Sequence, residues 1–219
     1  MTALVLPQPT ESPSGQRPVR LAVSIALLAW FLLVVALGAV GAFVGPPGTP
    51  PVPIALGVAT PLVIFFLLLR FSTSFREFVL SLDLRLVAGI QAWRWAGMGF
   101  LFLYAYKVLP GWFAFPAGLG DMAIGATAPW MILSLARQPG FAATSAFVRW
   151  NLLGILDLAV AVSIGAVSAI FATGNPGELS AAPMASLPLL LIPAFLVPSF
   201  LMLHTTALMQ SRQLRRTRM

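Results

Sequence analysis

A chain of 219 residues with 59% apolar and only 9% charged residues, and a mean hydropathy of +0.93, is not an ordinary soluble domain, where roughly 25% of residues are charged. A water-soluble core of this length has no room for so much apolar side chain, whereas lipid solvates it directly. The net charge of +7 is spread over short segments instead of massed on one face, and the absence of cysteine removes disulfides, thiolate catalysis and cysteine-ligated metal together.

Residues 1–18, with several Pro, Ser and Thr, are expected to form a disordered cytoplasmic tail. The first membrane span is expected over about 21–44, longer than the apolar region of a cleaved signal peptide. The small-residue stretch Gly38-Ala39-Val40-Gly41-Ala42 leaves cleavage as an alternative. Gly45-Pro46-Pro47-Gly48-Thr49-Pro50-Pro51 cannot be helical and reads as an outer turn. The second span is expected over about 52–69, returning the chain to Arg70.

Residues 74–90 differ in kind. Phe75, Phe78, Val79, Leu82, Leu86 and Ile90 recur at steps of three and four, with Arg76, Glu77, Asp83 and Arg85 opposite. That pattern predicts one amphipathic helix lying along the cytoplasmic interface. Further spans are expected over about 92–109, 117–136, 150–171 and 187–209, followed by a basic cytoplasmic tail, 211–219.

Twelve of the thirteen Lys and Arg residues then fall at alternate ends of these spans, and only Lys107 falls on the other side. Cytoplasmic loops carry the excess of Lys and Arg, which predicts both termini inside. The fold class expected is therefore all-α: a polytopic integral membrane protein with six transmembrane helices and one interfacial helix. The default location is a cell inner (plasma) membrane. The expected partners are the bilayer itself and either a membrane protein or a second copy of the chain, and not nucleic acid.

The polar residues inside the spans are the informative ones, because an ionised Asp at a helix centre costs about 2.5–3.5 kcal/mol to insert and needs a partner. Depth along the expected spans divides them into two clusters. The outer one joins Asp121 to Lys107 and a tyrosine, Tyr104 or Tyr106. The inner one joins Asp157 to Arg94, Asn151 and His204, with Arg149 as a competing partner on the helix of Asp157. Either these are gates on a proton or solute path, with His204 able to titrate near neutrality, or they are structural ion pairs that fix helix packing.

Gly118-Leu119-Gly120-Asp121-Met122-Ala123-Ile124 echoes Gly154-Ile155-Leu156-Asp157-Leu158-Ala159-Val160 on a span running the opposite way. Inverted repeats of that sort occur in transporters, and short apolar stretches also match by chance. Pro183, Pro188, Pro193 and Pro198 recur every five residues, the last three as candidate hinges at or within the sixth span. Pro61 and Pro129 kink the second and fourth. Gly97, Gly99, Gly118, Gly120 and Gly125 remove bulk where backbones approach.

No cofactor is implied. Met202, Met209 and His204 on one helix are too few for a haem or copper site, and no metal-ligand spacing or nucleophile–base pair points to an enzyme. The leading expectation is a small proton- or solute-translocating permease-like protein using intramembrane aspartates. A non-transporting assembly subunit comes second, and a membrane-embedded lipid-acting enzyme third.

Overall fold

The computed structural model describes residues 16–216, and the expected tail segments 1–15 and 217–219, Arg218 included, lie outside them. The described residues are helical without strands, and six helical stretches are long and apolar enough to cross a membrane: Arg17–Ala39, Val52–Phe71, Leu84–Ala105, Gly111–Arg137, Ser145–Phe171 and Ile192–Arg216. Large apolar side chains such as Leu28, Leu32, Phe66, Trp130, Leu153 and Leu156 are exposed along these stretches, the inverse of a water-soluble surface.

The first helix, α1 (Gln16–Ala39), already includes residues 16–18 of the expected tail, because a proline at position 18 is tolerated in a first turn. It ends five residues short of the expected limit. Gly41, at φ +72°, closes it: the Ala42 amide bonds to the Leu37 carbonyl and the Gly41 amide to that of Gly38, the paired bonds of a Schellman cap. After the proline-rich turn comes α2 (Val52–Phe71).

The single interfacial helix expected over 74–90 is two helices, α3 (Thr73–Leu80) and α4 (Leu84–Ile90). Asp83 explains the break. It is an N-cap, accepting the Arg85 amide at 2.8 Å and pairing with the Arg85 guanidinium, whose side-chain hydrogen bond holds the carboxyl below its ordinary range. Only α3 keeps the amphipathic role, packing Phe75, Phe78 and Val79 against Phe65 of α2 and Val19 and Val23 of α1.

Helix α4 instead begins the third long stretch, continuing through a 3₁₀ segment, Gln91–Gly97, into α5 (Met98–Ala105). A second Schellman cap ends α5, with Lys107 at φ 57° in the position that glycine usually takes. The antiparallel pair α6 (Gly111–Arg137) and α7 (Ser145–Phe171) follows. The expected sixth span opens instead with turns through residue 190. A π-helical turn, Ile192–Leu196, then leads into α8 (Val197–Arg216), which takes in residues 211–216 of the expected basic tail and docks Arg215 on the Ala143 carbonyl at 2.8 Å.

Arg70, Arg76, Arg85, Arg137, Arg149 and the arginines of α8 gather at one end of this bundle, where Val87, Phe147 and Ala207 pack together. The opposite end is closed by Phe100, Leu109, Phe113 and Met184.

Candidate functional site: a forked arginine between two aspartates

Arg94 was expected at the base of a span starting near residue 92. The stretch begins at Leu84, so Arg94 lies at its middle, with its side chain wholly buried. It is thus an intrahelical charge and not one of the orientation charges. Its backbone explains where it points. A 3₁₀ helix has three residues per turn, so positions three apart eclipse each other. Gln91, Arg94 and Gly97 therefore form one stripe, and all three are buried in a segment that packs against α6.

Arg94 forks across α6 and α7. Its Nε donates to Asp121 Oδ1 at 2.7 Å, and its Nη2 donates to Asp157. The aspartates assigned by depth to opposite faces thus share one cation. The reason is arithmetic. Asp121 lies ten residues from the start of α6, about 15 Å, and Asp157 lies fourteen from the end of α7, about 21 Å. On antiparallel helices these are heights from the same end, and a planar guanidinium with five donors reaches both. The expected spans started six and five residues late, which displaced each carboxylate toward a surface. The Gly-x-x-Asp echo is consequently a spatial pair around Arg94.

The expected outer cluster is not formed. Lys107 makes no ion pair among the described residues and serves as a helix cap. The Tyr104 ring packs against Phe115 with centroids 5.0 Å apart. Tyr106 is exposed, and Arg149 lies exposed near the start of α7, away from Asp157's guanidinium partner.

The inner cluster is brought together as expected, and its hydrogen bonds have a fixed direction. Arg94 Nη1 lies 3.1 Å from His204 Nε2 and 3.3 Å from the Gly154 carbonyl. A guanidinium only donates, so Nε2 must accept, and the imidazole proton resides on Nδ1. Nδ1 in turn donates to Asn151 Oδ1 at 2.9 Å, and the Asn151 amide donates to the Phe147 carbonyl at 2.9 Å. His204 is held as a neutral acceptor, so it is not the titrating group that the sequence allows. Trp150 stacks edge-on to its ring at 5.6 Å and donates its indole N–H to Thr127 at 2.8 Å.

Glycine makes this closeness feasible. A Cβ on Gly120 would overlap the Asp157 carboxylate, one on Gly154 the His204 ring, one on Gly97 the Asp121 Cβ, and one on Gly125 the Trp95 backbone. Gly118 approaches the Gly97 carbonyl in the same seam. Of the glycines read as packing positions, Gly99 alone faces open space.

Above Arg94 the third and sixth stretches part, leaving a cavity of about 310 Å³. Trp93, Gly97 and Phe100 form one wall, Ile192, Leu196 and Phe200 the other, with Arg94, Asp121 and Leu158 at the base. Irregular backbone flanks it on both sides: the 3₁₀ segment on one, the π turn on the other. Of the candidate hinges, Pro193 lies inside that turn and Pro198 just after it, where the wider π geometry relieves the clash of each ring with the preceding turn. Pro188 lies before it, in non-helical turn.

Gln91 is the polar residue that sequence reasoning missed. It is completely buried, and neither its amide oxygen nor its nitrogen has a partner among the described residues. Its three-residue spacing to Arg94 and Gly97 fits an α-helix as well as a 3₁₀ helix, and it falls between the expected interfacial helix and span, so the sequence did not single it out. Among the described residues no group of three His, Asp or Glu is arranged to hold a metal ion.

A family model, described as a domain of unknown function (DUF8737), matches residues 51–212. The chain belongs to the DUF8737 family. The matched region takes in α2 through most of α8, hence the whole Arg94 cluster and both walls of the cavity, while α1 lies outside it. No curated protein and no solved structure matches the chain.

Proposed function

We propose that the protein is a multi-pass membrane protein that translocates protons, alone or in exchange for a solute, through the Arg94–Asp121–Asp157 triad. Six crossings with both termini on the cytoplasmic side of an inner membrane accord with the arginine-bearing end of the bundle. Arg94 leaves that orientation count and the other described arginines keep it.

One observation carries the reading: one arginine faces two aspartates at mid-height, with His204 neutral. With both carboxylates ionised the triad has a net charge of −1. An uncompensated charge in a low-dielectric interior costs several kcal/mol, so the triad favours a state that holds one more positive charge. A proton supplies it and can be released when the surroundings change. The 3₁₀ and π segments on either side are elements of the kind found at hinges and functional sites.

The test is proton flux into proteoliposomes loaded with a pH-sensitive dye under an imposed gradient. Flux above that of protein-free vesicles, abolished by Asp157→Asn in a protein that still elutes as a folded species, supports the reading. Flux unaffected by Asp157→Asn, or wild-type vesicles no leakier than empty ones both with and without added solutes, overturns it. An assembly subunit is less favoured because Gly97, Gly118, Gly120, Gly125 and Gly154 are used inside the bundle. A lipid-acting enzyme is less favoured because the cavity lies at mid-height, away from headgroups.

A further inference from the structure

Resting on that reading, we infer that the cavity beside Asp121 receives a lipophilic organic cation that enters sideways from the hydrocarbon and exchanges with the proton of the triad. Three observations converge on that chemistry.

The first is which charge faces the cavity. Arg94 contributes to the cavity base, but its side chain has no exposed surface, whereas the Asp121 side chain retains 17%. A ligand entering therefore meets a carboxylate that is partly exposed, while its countercharge is buried and shared with Asp157. The second is the wall. Apart from Arg94 and Asp121 the lining is apolar, and Trp93 and Phe100 present aromatic rings within it. Aromatic faces attract ammonium groups, by about 0.5–1 kcal/mol at exposed sites and more where water is excluded. A carboxylate, aromatic rings and an apolar sleeve together suit an alkyl- or arylammonium, and they suit an anion or a sugar poorly.

The third is the route. Val87 and Ala207 hold the third and sixth stretches together near the arginine-bearing end, and the stretches separate above it. The lip of the gap is made by Ile90, Trp93 and Leu196, all exposed, with Trp93 at 77%. In a bilayer those residues face lipid, so the opening is lateral. A molecule already partitioned into the membrane reaches Asp121 without crossing water.

Charge is conserved in the exchange. With one proton on the triad the site is neutral. A monovalent cation binding at Asp121 displaces that proton, and the site stays neutral. The charged groups that face the pair are Arg94 from the third stretch, Asp121 from α6 and Asp157 from α7, and the neutral His204 completes the set from α8.

The experiment is calorimetric titration of the full chain in detergent with benzyltrimethylammonium, which cannot itself lose a proton. Its uncharged carbon isostere, neopentylbenzene, and the anion benzenesulfonate serve as comparisons. Repeating the titration in buffers of different protonation enthalpy counts the protons released. The expected result is saturable binding of the cation with release of about one proton, and binding of both comparison probes weaker by about tenfold or more. Asp121→Asn should lose that preference for the cation while Arg94 still holds Asp157. The exposed Trp93→Leu should weaken the cation about threefold with no effect on unfolding temperature.

Equal binding of the neutral isostere, failure of the cation to bind, or unchanged cation affinity in Asp121→Asn each overturns the inference. The two readings fail separately. Asp157-dependent proton flux without cation binding removes the cation and leaves translocation standing. Cation binding without flux of either species removes translocation and leaves a cation-binding site.

Discussion

Replacing Arg94 by Met retains most of the side-chain volume and removes the cation that bonds to α6, α7 and α8 at once. In the wild type it satisfies Asp121, Asp157, the Gly154 carbonyl and His204 Nε2. Stranding a buried charge by deleting its partner costs about 3–5 kcal/mol. The two neutral acceptors add about 1 kcal/mol each at most. A loss of about 3–7 kcal/mol is therefore expected, comparable to the whole stability of many domains. The diagnostic comparison is the triple variant Arg94→Met, Asp121→Asn, Asp157→Asn, in which the unpaired charges are gone and only hydrogen bonds remain unmade. It should recover all but about 1–2 kcal/mol, because replacing a buried ion cluster as a whole is far milder than breaking it. Equilibrium unfolding in mixed detergent micelles, followed by circular dichroism, measures both. A single variant as stable as wild type, or a triple variant no better than the single, would refute the claim that charge balance governs this site.

Other expectations concern backbone and loop. Gly154→Ala should lower stability by about 2 kcal/mol or more, since its Cβ would overlap the His204 ring, whereas Gly99→Ala, with open space around it in a helix, should be neutral or stabilising by up to about 1 kcal/mol; equal unfolding temperatures for the two would contradict the packing assignment. Lys107→Gly should stabilise by about 1 kcal/mol, because Lys107 occupies the left-handed region that glycine enters without strain; a destabilised variant in the same unfolding assay would show that the lysine side chain matters more than its backbone. The Glu178 carboxylate accepts the Thr173 amide and hydroxyl and the Gly174 amide, which holds it below the ordinary carboxylate range. A depressed value means that the bonds stabilise the loop above the unfolded-state value and fade as pH falls through the folded one. Amide exchange at Thr173 and Gly174, corrected for intrinsic rates, should therefore quicken on acidification, and in Glu178→Gln it should be fast at all pH values.

The sequence by itself determined the class of the molecule. Hydropathy, the spacing of arginines and the proline-rich turns are local properties, and they gave six long apolar stretches in an all-helical chain because helix length and lipid solvation are both read from neighbouring residues. They also marked Asp121, Asp157, Arg94, Asn151 and His204 as out of place in apolar surroundings. What they could not supply was register between helices. Starting the fourth and fifth spans at residues 117 and 150 moved each aspartate off centre, and treating Asp83 as one polar face of a long helix concealed the cap that begins the third stretch. The 3₁₀ segment was equally hidden, since its three-residue stripe of Gln91, Arg94 and Gly97 differs from an α-helical pattern only once the backbone is seen. Which carboxylates share a cation, and whether a gap opens beside them, depends on how closely antiparallel helices approach. That distance is set by glycines on one helix meeting side chains on another, a relation between residues tens of positions apart that no stretch of sequence contains.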